Sequence, residues 1–361
     1  MKIVVLGLSI TSSWGNGHAT TYRSLISALH GLGHEITFLE RDMPWYASHR
    51  DAAMLPFCQI ELYHDLSDLE DRFSGLVRSA DVAVVGSYVP DGVMVGEWVT
   101  RLAEGITAFY DIDTPVTLAK LEQQDYEYLA PFLIPKFQVY FSFAGGPVLN
   151  YLQERYGSPK ACPLYCCADI AHYYPESVPQ RWLAGYLGTY SSDRQKGVEE
   201  FLMNPARLLT RERFVVAGPS YPDDVYWPPN VERIDHLSPD KHRQFYCAQK
   251  FTINITRADM RRRGYSPSVR LFEAAACGVP IMSDFWEGIE RFFEPGKEIL
   301  LVHDTAEVMK IIRGLTERER RKLAFRARVR VLKDHTATQR ARELLSALEG
   351  AESGQKSFNL G

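Results

Sequence analysis

No run of apolar residues in this 361-residue chain reaches the length needed to cross a bilayer. No lysine completes a Walker A loop. No third glycine follows Gly15 and Gly17 at the spacing of the dinucleotide fingerprint G-x-G-x-x-G. There is no overall excess of positive charge. The formal net charge is -4, so nucleic acid is not an expected partner. Cysteine is scarce, at six residues, and Cys162, Cys166 and Cys167 are followed by no second pair at zinc spacing, so no metal is expected. Most cysteines sit in apolar surroundings, as reduced thiols of a cytoplasmic protein do. The start, MKIVVLGLSITSSWGNGH, lacks a small-residue cleavage pattern and runs into a glycine loop, so it reads as a first strand.

What is present is an ordinary globular composition, 45% hydrophobic and 24% charged. The length predicts two domains. KIVVLGLS reads as a strand, TTYRSLISALHGLG as an amphipathic helix, and HEITFLERD as a second strand, a βαβ unit. DVAVVGSY, ITAFYDID and QVYFSFAG read as further strands with polar residues at their C-terminal ends, where open parallel sheets hold ligands. Residues 1–168 therefore read as a doubly wound α/β domain. Residues 169–179 contain two prolines and read as a linker. Alternation restarts at Trp182 with WLAGYLGTY, RFVVAGPS, VERIDHL, FTINIT, VPIM and GKEILLVHD as strands, giving a second α/β domain over 180–349. Two such domains in series predict a cleft between them. Residues 350–361 have the composition of a flexible tail.

The most informative stretch is RGYSPSVRLFEAAACGVPIMSD, Arg263 to Asp284. Ser266 fits an N-cap and Pro267 the first helical position, with Ser268 beside them. Gly278 ends the helix. A helix start facing a cleft offers free N–H groups to an anion, and Arg270 adds a guanidinium fork. Glu273 lies further in, between apolar neighbours, and needs a partner there. A ligand hydroxyl and an arginine are the two candidates. Phosphate followed by polyol is the layout of a sugar nucleotide.

Other loops follow strands in the same way. Gly15 and Gly17 permit a tight turn and a close ligand approach. His18 opens the first helix, where the dipole keeps imidazole neutral, so it suits a general base. The plainer reading is a cap or a passive acceptor contact. Asp111 and Asp113 share one side if their strand persists, and their D-x-D spacing fits a divalent ion gripping a diphosphate, orientation of His18, acceptor binding or a simple turn. Arg194 and Lys196 suit a diphosphate leaving group, or are solvated loop charges. Tyr221 and Tyr265 suit stacking or plain packing. Arg257, Arg261, Arg262 and Arg263 form a local basic cluster without aromatic interleaving.

The segment NITRADMRRRGYSPSVRLFEAAACGVPIMSDFWEGIERFFEPGKEI resembles the spore-maturation-protein group of bacterial glycosyltransferases, within the GT-B class. That resemblance implies two Rossmann-like domains with an interdomain cleft, the donor held mainly by the second and the acceptor by the first. It implies sugar transfer from a nucleoside diphosphate sugar to a hydroxyl, without a cofactor or bound metal. Glu273 matches the acid that holds ribose. Retaining members carry a further acid eight positions earlier, where this chain has Tyr265. His18 matches the base of inverting members, so inversion is the expected course. A nucleotide-sugar epimerase of the same fold and a catalytically inactive sugar-binding scaffold are the alternatives.

Overall fold

The computed structural model describes residues 1–14, 17–52 and 54–358, the last seven of these as backbone only. The chain divides into two compact units, Met1–Cys166 with Ala337–Gly361, and Cys167–Thr336.

The first unit is built on a seven-stranded parallel sheet. Its strands are β1 (Lys2–Gly7), β2 (Glu35–Arg41), β3 (Gln59–Tyr63), β4 (Val82–Gly86), β5 (Ile106–Asp111), β6 (Val139–Ser142) and β7 (Ala161–Pro163), in the order β3-β2-β1-β4-β5-β6-β7. Parallel strands need helical crossovers, which cover both faces. The burial pattern shows this directly. Val4, Leu6, Ala83, Val85 and Phe109 pack into one core, while their neighbours Ile3, Val5, Val82, Val84, Ala108 and Tyr110 pack into another. The second core also takes Leu25, Ile26 and Leu29 from the helix Gly17–Gly31 and Ala341, Leu344 and Leu348 from the C-terminal helix Ala337–Phe358. The expected boundary at 349 thus differs from the contacts: residues from 337 group with the first unit because that helix buries its apolar stripe there. Its backbone stays helical through Phe358, where composition predicted a flexible tail. Residues 359–361 lie outside the described residues.

The second unit carries a six-stranded parallel sheet. Its strands are β8 (Trp182–Leu187), β9 (Phe214–Ala217), β10 (Val231–Ile234), β11 (Gln249–Asn254), β12 (Ile281–Ser283) and β13 (Leu300–Leu301), in the order β10-β9-β8-β11-β12-β13. Each expected strand of this half is present. In both sheets the chain order reverses next to the first strand, between β1 and β4 and between β8 and β11. Helices leave to opposite faces at such a switch point, opening a crevice at the strands' carboxyl ends where ligands bind.

Candidate functional site

At the switch point of the second sheet, Arg270 is fixed in place. It sits on the helix Val269–Ala276 and is buried. Its Nε donates to Leu187 O at 2.5 Å, at the end of β8, and its Nη1 to Asn254 Oδ1 at 2.9 Å, at the end of β11. Its guanidinium carbon lies 4.8 Å from the centre of the Tyr186 ring. A Cβ on Gly188 would come within 2.6 Å of Tyr186 Oη and 2.9 Å of Arg270 Nη2, so only glycine leaves room for this arrangement. Arg194, half-buried on the short helix Ser192–Val198, donates from Nη2 to Thr189 O at 2.6 Å. Burial lowers its pKa, and the charges of Arg270 and Arg257 push the same way. Its buried Nε and the buried Tyr186 Oη have no hydrogen-bond partner among the described residues. Two buried donors thus lack acceptors beside a fixed guanidinium, an arrangement completed by an anion.

The other residues expected here separate into three groups. Lys196 is exposed. It lies two positions from Arg194, and residues two apart on a helix face different ways. Tyr221 is half-buried between Tyr190 and Trp227, with Arg233 stacked over its ring at 4.2 Å, and its Oη donates to Gly188 O at 3.3 Å. It braces the loop after β8. Glu273 is buried, and its Oε2 accepts from Tyr246 Oη at 2.9 Å rather than from an arginine. Tyr173 Oη pairs with His242 Nδ1 at 3.3 Å, and burial followed by the nearby charge of Glu273 pushes the tyrosine's pKa well up.

The helix start corrects one expectation. Ser268, not Ser266, is the N-cap, and no side-chain bond closes the cap. Tyr265 and Gly264 both adopt positive φ, at 48° and 69°, making a turn. A residue before proline avoids helical geometry, so Ser266-Pro267 continues the extended approach and Val269 begins the helix. Gly278 has φ 71° just past the helix end, as expected of a C-terminal stop. Tyr265 packs against Gly288 and beneath Arg291.

In the first unit, the switch point is flanked by His18 and Tyr88. Their rings meet edge-on at 5.3 Å. His18 is half-buried with Nδ1 shut off from solvent, and burial lowers its pKa to about 4. Desolvation is the cause, where the sequence pointed to the helix dipole. Gly17 is exposed at the helix start, and Gly15 lies outside the described residues.

Asp111 and Asp113 do not share one side of a strand, because β5 ends at Asp111 and Asp113 is the N-cap of the helix Thr114–Glu122. Asp111 is fully buried and accepts from Tyr140 Oη at 2.5 Å, Thr117 Oγ1 at 2.7 Å and Asp113 N at 3.2 Å. Burial raises its pKa to about 6 against these bonds. It ties the sheet together. Asp113 is the acid connected towards His18, through Tyr88 Oη, which donates to Asp113 Oδ2 at 3.4 Å.

Sequence reasoning missed Glu40. This fully buried carboxylate, at the end of β2, accepts from Ser9 Oγ at 3.0 Å, Thr11 Oγ1 at 2.6 Å, Ile10 N at 2.7 Å and Thr11 N at 3.0 Å. It clasps the loop that leads from β1 towards His18. The only signal was an acid inside an apolar strand. Tyr246 was missed because it precedes Glu273 by many residues. Among the described residues, no group of three or more His, Cys, Asp or Glu side chains is placed to hold a metal, and no helix is long and apolar enough to cross a membrane.

Comparison with known proteins bears on this geometry. Residues 194–346 match a family model described as glycosyl transferase-like. No curated protein sequence matches the chain. Among solved structures, sucrose-phosphate synthase from Thermosynechococcus elongatus is similar with a TM-score of 0.69 at 13% identity, covering 100% of both chains. Anabaena HepE in complex with UDP-glucose is similar with a TM-score of 0.69 at 12% identity, covering 97% of this chain and 100% of that one. An alpha-glucosyltransferase in complex with UDP-glucose and DNA containing an abasic site gives a TM-score of 0.73 at 13% identity, over 97% of this chain and 99% of that one. The last match corrects the expectation that nucleic acid is excluded as a partner. A protein of this architecture holds DNA, and a net charge of -4 is a whole-chain sum that says nothing of local surfaces. Two parallel Rossmann-like sheets, matched across essentially the whole chain, give this protein the GT-B fold of glycosyltransferases.

Proposed function

We propose that this chain transfers a sugar from a nucleoside diphosphate sugar to a hydroxyl acceptor. The observation that carries the reading is the pair of buried, unpartnered donors, Tyr186 Oη and Arg194 Nε, beside the fixed guanidinium of Arg270. A diphosphate supplies the acceptor oxygens they lack, once the loop after β8 shifts to admit it. The start of the helix Val269–Ala276 adds N–H groups, and Glu273 takes the ribose. These groups meet negative charge as it grows on the departing diphosphate. UDP and UDP-glucose in structures of the same fold support this occupant. His18 accepts the proton of the acceptor hydroxyl as that oxygen attacks the anomeric carbon from the opposite side, so the configuration inverts. Asp113 acts on His18 through Tyr88.

A second reading, net retention, is favoured by the lowered basicity of His18, since a base that protonates at about 4 is weak for this task at neutral pH. Incubating the protein with UDP-sugars and a panel of acceptors, duplex DNA among them, tests the reading. The assay follows nucleoside diphosphate release, with NMR of the product's anomeric proton. Inverted product, and a loss of roughly 10²–10⁴-fold in turnover for His18→Ala with donor affinity kept, support the assignment. Retained configuration moves His18 to a positioning role. An epimerised donor without transfer, or donor binding with neither transfer nor hydrolysis, overturns the transferase reading.

A further inference from the structure

Away from the switch points, the helix Glu317–Asp334 of the second unit carries eight basic residues, and the fold uses four of them. Arg320 donates from Nη1 to Lys250 O at 3.1 Å and pairs with Glu317, as Arg321 does. Arg328 Nε donates to Ala276 O at 3.1 Å, and Arg330 pairs with Glu298 and Asp334. The third acid of the helix, Glu319, closes the capping box with Thr316. The other four, Arg318, Lys322, Arg326 and Lys333, are exposed and have no ion pair or side-chain hydrogen bond among the described residues.

Spacing puts these four cations on one side. Positions 318, 322, 325, 329 and 333 follow one another at three or four residues, the interval that keeps side chains on one helix face, and Arg326 follows Lys322 by four. Phe325 and Val329 stand in the middle of this face, one turn apart, 65% and 46% exposed. The opposite face buries Leu323, Ala324, Ala327 and Val331, and the helix packs against Val269–Ala276. The exposed pair is therefore no part of the stripe that holds the helix to its unit. Single exposed apolar side chains are ordinary, but a pair set among four cations that no protein acid neutralises has the make-up of a contact surface. A nucleic-acid backbone would engage the cations and leave Val329 without a partner. An anionic lipid surface supplies phosphates for the cations and acyl carbon for the ring and the valine.

We propose that this face of the helix Glu317–Asp334 docks the protein on an anionic membrane surface. The helix lies along the surface, with Phe325 and Val329 at the boundary between headgroups and acyl chains and Arg318, Lys322, Arg326 and Lys333 among the lipid phosphates. Two apolar side chains bury too little area to hold a protein on a bilayer by themselves, so the contact depends on charge. Each cation at the surface contributes about fivefold in affinity. Binding is peripheral and reversible, and salt weakens it. The face lies outside the donor site, so the proposal does not rest on the transferase reading.

The test sediments the full chain with vesicles of phosphatidylcholine alone and of equal parts phosphatidylcholine and phosphatidylglycerol. The expected result is binding to the anionic vesicles only, released at high salt. Lys322→Glu combined with Arg326→Glu should weaken it by at least about 30-fold, two cations lost at about fivefold each with two acids added. These side chains are exposed, so the variant should keep the wild-type unfolding midpoint. The same reversal at Arg78 and Arg101, exposed cations of the first unit, changes net charge equally and should cost no more than about twofold. Phe325→Trp should be quenched by lipids brominated in the acyl chain, beyond the quenching of the native tryptophans. Failure to bind anionic vesicles, an equal loss in the Arg78 and Arg101 control, or no added quenching at position 325 overturns the proposal. Binding of duplex DNA that the Lys322 and Arg326 reversal abolishes, without vesicle binding, gives the face to nucleic acid and overturns it as well.

Discussion

Replacing Glu40 with alanine should destabilise the first unit and slow turnover while sparing the donor site. The magnitude follows from the four bonds its buried carboxylate accepts. The Ser9 hydroxyl can turn to Ser12 O, and the Thr11 hydroxyl is free to rotate while its oxygen keeps the bond it accepts from Arg50. The amides of Ile10 and Thr11 cannot turn. Each buried N–H left without an acceptor costs about 1–3 kcal/mol, and the carboxylate's charge places these at the upper end. The expected loss is therefore about 3–5 kcal/mol. Glu40→Gln should cost only about 1 kcal/mol, because its carbonyl oxygen can face the amides while its NH2 donates to the hydroxyl oxygens. Urea unfolding of both variants, followed by fluorescence, measures the difference. Turnover should fall in the alanine variant because the clasped loop leads to His18, the proposed base, whereas UDP-sugar affinity should hold because the proposed donor residues lie in the other unit. An alanine variant within about 1 kcal/mol of wild type, or a glutamine variant as damaged as the alanine one, would refute this reasoning.

Three further outcomes follow from the same geometry. Arg270→Lys should lose donor affinity and about 2–3 kcal/mol of stability, since one ammonium cannot serve both Leu187 O and Asn254 Oδ1, and unfolding with calorimetry checks both. Gly188→Ala should destabilise by about 1–3 kcal/mol, measured by urea midpoint, because the added Cβ meets Tyr186 Oη and Arg270 Nη2. The pH dependence has two opposed parts. The His18 pKa falls from 6.5 to about 4 on folding, so the unfolded chain binds more protons between those values and stability rises with pH across that window. The Asp111 pKa rises from 3.8 to about 6, so its contribution is present at low pH and is lost as pH rises through about 6. Because the two parts oppose each other, the His18→Gln profile should fall with pH between about 4 and 6, where the Asp111 part is left alone, and the Asp111→Asn profile should rise between about 4 and 6.5.

The central strands were legible because buried parallel strands are continuous apolar runs such as KIVVLG and FTIN. The two strands that composition hid, β3 with QIELY and β7 with ACP, are the outermost pair of the first sheet, where one side is solvated and the apolar signal is weak. The switch points could be anticipated, since His18 and Arg270 both follow from strand–loop–helix punctuation. What those side chains touch could not. Glu273 finds Tyr246 only after the helices dock, and Asp111 finds Tyr140 across neighbouring strands. The Ser-Pro pair misplaced the helix start because the cap preference of serine is local, whereas the turn at Gly264 and Tyr265 keeps the chain extended as far as Ser268. The C-terminal helix crosses to the first unit by burying a stripe whose partner no periodicity reveals.

The most direct measurement is titration of UDP-glucose into the wild-type chain and Arg194→Ala, by calorimetry without acceptor. Arg194 offers a half-buried guanidinium whose Nε has no protein partner among the described residues, so its loss should leave the fold intact. The account predicts one site per chain in the wild type and an affinity about 10–100-fold lower in the variant, the worth of one charge-assisted bond. Equal affinity in the two proteins, or no binding of UDP-glucose or any other nucleoside diphosphate sugar, would contradict it.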